Sequence, residues 1–134
     1  RIDQDLRALL EETTPGAVAI EGVFHFKNAR TAVVLGQARG VAIAAAAGRG
    51  IPVFEYSPRQ VKQSVCGSGA GSKEQVARML QSTLGLQSLP RNLDCTDGLA
   101  AAVCHFYNLG NPQVGKAYSG WEAFVKQNED RTRK

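Results

Sequence analysis

The sequence has no apolar run approaching the roughly 18 residues that a bilayer-spanning helix requires. Its best candidate, Val41 to Ala47, is short and rich in alanine. The opening Arg1-Ile2-Asp3 carries none of the pattern of a secretory leader, so secretion and membrane insertion are disfavoured and a cytoplasmic protein is expected. Cysteine is scarce: Cys66, Cys95 and Cys104 are odd in number, widely spaced and free of any Cys-x-x-Cys pair. That excludes a complete set of intrachain disulfides and the common zinc sites, and predicts buried thiols in a reducing compartment.

Acidic residues are also scarce through the middle of the chain. From Gly22 to Asn92 only Glu55 and Glu74 oppose Lys27, Arg30, Arg39, Arg49, Arg59, Lys62, Lys73, Arg78 and Arg91, nine bases less two acids or +7. The whole chain carries only +4. Such a middle suggests a polyanionic partner, most often nucleic acid, against the plainer reading of a mildly basic soluble surface. With 43% hydrophobic and 21% charged residues, the 134 residues have the composition of one ordinary globular domain rather than a disordered chain.

What is present alternates between two periodicities. Ile2, Leu6, Leu9 and Leu10 recur at helical spacing, predicting an amphipathic helix over 2–12 that Thr13-Thr14-Pro15-Gly16 ends. Residues 17–20 are a short apolar run suited to a buried strand. Asn28 caps a long helix to about Ala47, closed by Gly48 and Gly50. Residues 51–56 predict a second strand. Ser57-Pro58-Arg59-Gln60 opens a short helix with a capping box, and Ser72 with Gln75 opens another that runs to about Leu84. Gly67-Ser68-Gly69-Ala70-Gly71 lies between them as a loop. Pro90 and Asn92 announce a last helix, with apolar Leu93, Leu99, Ala100, Val103 and Phe106. Residues 1–110 are expected to form the folded domain and 111–134 a polar tail.

This order suggests an α/β fold with parallel strands. Two strands are too few for a stable parallel sheet, so further sheet-forming sequence upstream is expected. The alternative is a helical domain with a two-stranded patch.

Candidate chemistry concentrates in the acids. Asp94 and Asp97 sit three residues apart on one face of the last helix, where like charges repel. A divalent cation between hard oxygen ligands, suited to Mg²⁺, would reverse that repulsion. The other reading, equally weighted, is that acids in a helix's early turns favour its dipole. Glu21 ends the first strand, where sites gather in parallel α/β folds. Added to the Asp pair, it makes a carboxylate cluster able to hold two metals plausible.

The glycine loop fails as a phosphate loop, because Ser72-Lys73-Glu74 follows it and a helix precedes it. It reads either as a carrier of Lys73 towards a nucleic-acid backbone or as a plain connector. Phe24, His25 and Phe26, with Lys27 and Arg30 close behind, suit stacking on unpaired bases, although such phenylalanines are more often core. His25 and His105 have no spacing that demands a general base. The small residues from Gly36 to Gly40 allow close helix packing, in the core or against a second copy.

Taken together, Ala19-Ile20-Glu21-Gly22-Val23-Phe24, Lys27-Asn28-Ala29, Leu35-Gly36-Gln37-Ala38-Arg39-Gly40, Pro52-Val53-Phe54-Glu55-Tyr56, Arg59-Gln60-Val61-Lys62-Gln63 and Asp94-Cys95-Thr96-Asp97-Gly98-Leu99-Ala100 resemble the RuvC family of Holliday-junction resolvases. The resemblance covers about residues 17–108. It implies an RNase H-like α/β fold with a central mixed sheet, a homodimer in the bacterial cytoplasm, and Mg²⁺-dependent (or Mn²⁺-dependent) symmetric nicking of four-way DNA junctions in recombination and repair. It implies catalytic and metal-binding roles for Glu21, Asp94 and Asp97. It also implies DNA contact for Phe24, Lys27, Lys62 and Lys73, and coordination with the RuvA and RuvB junction-migration complex. The family's further acid, on an N-terminal strand in a Gly-Ile-Asp-Pro-Gly-like motif, has no counterpart here, and Asp3 and Asp5 stand in another context. The competing readings are a non-catalytic DNA-binding or scaffold module, and a different nuclease or transposase relative of the same fold.

Overall fold

Segments capped by serine and stopped by glycine should begin and end sharply, and they do so in the computed structural model. It describes residues 1–22, 27–111 and 116–118, with Glu122, Val125 and Lys126. The element order is α1 (Ile2–Thr13), β1 (Val18–Glu21), α2 (Ala29–Ala47), β2 (Val53–Tyr56), α3 (Pro58–Cys66), α4 (Lys73–Leu84), α5 (Asp94–Tyr107) and β3 (Lys116–Tyr118). No helix among the described residues is long and apolar enough to cross a membrane.

The strands form one sheet in the order β1-β2-β3. Val18 N–H donates to the Pro52 carbonyl at 2.9 Å and Gly22 N–H to the Tyr56 carbonyl at 2.7 Å. The constant offset between donor and acceptor makes β1 and β2 parallel. The sheet therefore has three strands rather than two, the third coming from the polar stretch beyond Gly110. β2 starts two residues later than its apolar pattern, for a local reason. Ile51 N–H is spent on the Ala46 carbonyl at the end of α2, and Pro52 has no N–H to give.

The chain divides into two compact units. One comprises Arg1–Val18, His25–Phe54 and Lys116–Lys134, and the other Ala19–Phe24 and Glu55–Gly115. In the first, α1 packs on α2, with Leu10, Ile43, Ala45 and Ala46 buried. Ile2 and Leu9, expected on the apolar face of α1, are more than half exposed. Glu11 pairs with Arg49 across the end of the two helices.

In the second unit α3, α4 and α5 pack on one another. Tyr56, Val61, Val76, Leu80, Ala100 and Cys104 are among its buried residues, whereas Phe106 on α5 is 68% exposed. Cys104, the thiol expected in the core, donates to Ser64 Oγ at 3.2 Å, and burial pushes its pKa up. All three cysteines are free, with Cys66 half-buried and Cys95 exposed rather than buried.

Both capping boxes form as the sequence predicts. Ser57 Oγ accepts from Gln60 N–H, and Ser72 Oγ accepts from Gln75 N–H. The returning Gln side chains accept from the Ser57 and Ser72 backbone N–H groups at 2.8 Å. Gly67 ends α3 at φ 72°, a left-handed conformation that a side chain would strain, and its N–H closes on the Gln63 carbonyl. The Ser72 box also fixes where Lys73 starts. Replacing Ser72 by Ala should destabilise the chain by about 1 kcal/mol. In urea this lowers the unfolding midpoint with the slope unchanged, whereas an unshifted midpoint would mean that the box carries no stability.

Candidate functional site

Parallel strands expose their carboxyl ends, and β1 ends on Glu21. The next residue, Gly22, is buried and hydrogen-bonded to Tyr56, which pins the end of β1 beside the start of α3. Asp94 and Asp97 occupy the first turn of α5. Asp94 N–H donates to Asn92 Oδ1 at 2.9 Å, so the chain turns into α5 with both acids at its start. Lys62 projects from the second turn of α3, and Lys73 is the first residue of α4, held by its capping box.

These elements enclose a cavity of about 260 Å³ within the second unit, lined by Glu21, Pro58, Val61, Lys62, Lys73, Val76, Asp97 and Ala100. Four of the residues singled out in the sequence thus meet on one concave surface. Asp94 joins them through Lys73. The Lys73 ammonium donates to Asp94 Oδ1 at 2.5 Å and lies 3.2 Å from Asp97 Oδ2. Lys27 is exposed, belongs to the other unit and does not line this cavity. Phe24 and His25 lie outside the described residues. His105 is also away from the cavity. Its Nδ1 meets the Tyr56 hydroxyl at 2.7 Å and burial lowers its pKa, the signature of a neutral packed imidazole.

The electrostatics follow from the crowding. Desolvation raises the pKa of Glu21, the Asp97 charge raises it further, and Lys62 and Lys73 act to lower it. Hydrogen bonding to Lys73 lowers that of Asp94, and the same contacts raise that of Lys73. No group of three His, Cys, Asp or Glu among the described residues is drawn close enough to form a ready metal cage. The donor chemistry nevertheless suits a hard dication, since carboxylate oxygens are its preferred ligands and the Lys73 ammonium already sits between two of them. The sequence points to the acids but not to the bridge. Its one signal is that Ser72 and Gln75 place Lys73 at a helix start.

The raised pKa of Glu21 has a consequence for stability. A carboxyl whose folded pKa exceeds its unfolded value contributes stability that is complete below the unfolded pKa, here 4.5, and lost as pH rises through the folded pKa. Glu21→Gln should therefore melt higher than wild type at pH 7 without metal, and the gap should close below pH 4.5. Equal melting temperatures at both pH values would contradict the burial and repulsion described.

Known proteins resemble this chain along most of its length. Residues 1–105 match the family model described as Crossover junction endodeoxyribonuclease RuvC, a match that includes α1, upstream of the motifs that carry the resemblance. The chain is 54% identical over 125 residues to the Crossover junction endodeoxyribonuclease RuvC of Christiangramia forsetii, covering 93% of this chain and 65% of that protein. It is 44% identical over 134 residues to that of Bacteroides fragilis, covering 98% and 71%. It spans about two thirds of the length of the curated relatives it matches.

Among solved structures, "T. thermophilus RuvC in complex with Holliday junction substrate" superposes with a TM-score of 0.79 at 36% identity. The superposition covers 88% of this chain and 71% of that chain. The α/β, RNase H-like fold expected from the resemblance is thus the fold observed. The chain belongs to the RuvC family of crossover junction endodeoxyribonucleases.

Proposed function

We propose that the protein is a structure-selective endonuclease that resolves four-way DNA junctions by symmetric nicking in recombination and repair. The observation that carries the reading is the convergence of Glu21, Asp97, Lys62 and Lys73 on one cavity, with Asp94 tied in through Lys73. The similarity of the chain to a RuvC bound to a Holliday junction supports the substrate.

In this reading Glu21, Asp94 and Asp97 hold divalent cations, Mg²⁺ or in its place Mn²⁺. Bound there, the metal supplies an activated water and neutralises charge on the leaving oxygen of a phosphodiester. The chain's own residues do the rest. Lys62, on the cavity wall, meets a phosphate and compensates developing negative charge. Lys27 docks the backbone outside the cavity, and Phe24, outside the described residues, stacks on unpaired bases at the junction. Val61, Val76 and Ala100 form an apolar floor beneath Glu21 and Asp97.

Symmetric nicking needs two such sites, and α2 offers a surface for a second copy. Val33 and Val34 are more than half exposed on it, Leu35 is 43% exposed, and Gly36 and Gly40 leave open space beside them. Partnership with RuvA and RuvB and residence in the bacterial cytoplasm complete the proposal. The free thiols accord with a reducing compartment.

The test is affinity for an immobile four-way junction against linear duplex, measured in Ca²⁺ so that no strand is cut. Junction binding should be the tighter, and Glu21→Gln should keep or improve it, because repulsion of phosphate falls. Lys62→Ala should reduce the slope of log K against log salt by about 1, the loss of one phosphate contact. Equal affinity for junction and duplex would contradict the assignment.

A further inference from the structure

Lys73 is a cavity residue whose side chain is placed by the acids rather than by the core. Its backbone is anchored by the Ser72 capping box. Its side chain is 44% exposed and reaches across to Asp94, 72% exposed, and Asp97, 41% exposed. The ammonium lies within 3.2 Å of carboxylate oxygens from both aspartates, so it takes the space in which one cation could bridge them. Two positive charges cannot share that space. Solvent-exposed ion pairs are individually weak, and a side chain this exposed has room to swing out.

We propose that Lys73 is a tethered counter-ion: in the metal-free chain its ammonium holds Asp94 and Asp97 together, a divalent cation displaces it, and the freed ammonium turns to phosphate on the same cavity wall. The proposal rests on the reading of Glu21, Asp94 and Asp97 as metal ligands. Its physical content is a negative coupling between the inward lysine and the cation, reciprocal by necessity. The lysine keeps the unloaded acids from repelling one another. Loading the metal is then the event that makes the lysine available to DNA.

Mn²⁺ binding to the chain without DNA, followed by the paramagnetic signal of the free ion, tests this without any turnover. Lys73→Met should bind Mn²⁺ about three- to tenfold more tightly than wild type, the scale expected for removing a weak exposed competitor. Lys73→Arg, which keeps a bridging cation, should stay close to wild type. Acylation of the Lys73 amine, read by peptide mass, should accelerate when the wild-type chain is saturated with Ca²⁺.

Unchanged or weaker Mn²⁺ binding by Lys73→Met overturns the proposal. So does Lys73 acylation that Ca²⁺ leaves unmoved. Asp97→Asn separates this failure from that of the underlying site. If Asp97→Asn binds Mn²⁺ as well as wild type does, the metal-ligand reading falls and the counter-ion with it. If Asp97→Asn abolishes binding while Lys73→Met fails to tighten it, only the counter-ion falls.

Discussion

Charge balance around Lys73 governs the site. Three carboxylates come from two elements, the end of β1 and the first turn of α5, and at Glu21 burial and the charge of Asp97 oppose ionisation. A fold does not bring acids together at that expense for stability, since half-buried like charges weaken it. The arrangement persists because α3, α4 and α5 pack into one unit on an apolar core, and because Lys73 pairs with two of the acids. Apolar packing below and an exposed ion pair above let the Lys73 contact change without any change of fold.

Local chemistry explains why the parts arrive where they do. The Ser57 and Ser72 boxes set the starts of α3 and α4, and with them the reach of Lys62 and Lys73. Asn92, whose Oδ1 accepts from Asp94 N–H two residues on, turns the chain into α5 so that Asp94 and Asp97 stand together on its opening turn. The helix dipole favours acids at that end, as one of the two readings of the pair expects. The same position that lowers the cost of the charges sets Asp97 on the cavity wall and Asp94 against Lys73.

Much of this is legible in the residues. Helix starts are, because capping is local: Ser57, Ser72 and Asn28 each accept the backbone bonds that their spacing predicts. Strand edges are less so, because Ile51 reads as strand by pattern but closes α2 with its N–H. β3 is not legible at all, since Lys116-Ala117-Tyr118 in a polar stretch has no periodicity of its own and is strand only by pairing within the sheet. Among the candidate site residues, Glu21, Asp94, Asp97, Lys62 and Lys73 can be named from the chain, whereas the bridge from Lys73 to Asp94 spans 21 residues and is a product of tertiary packing. His105 shows the reverse. A histidine that could have been a base is absorbed by Tyr56.

The most direct test is cutting itself: an end-labelled four-way junction incubated with this chain in Mg²⁺, beside Glu21→Gln and Asp97→Asn. Paired nicks at symmetric positions are expected from the wild-type chain, with each substitution slowing them by more than about a hundredfold, the scale on which one positioned group contributes to catalysis. A junction left whole by the wild-type chain, or nicked equally by all three proteins, would contradict a metal-dependent resolvase built on these acids.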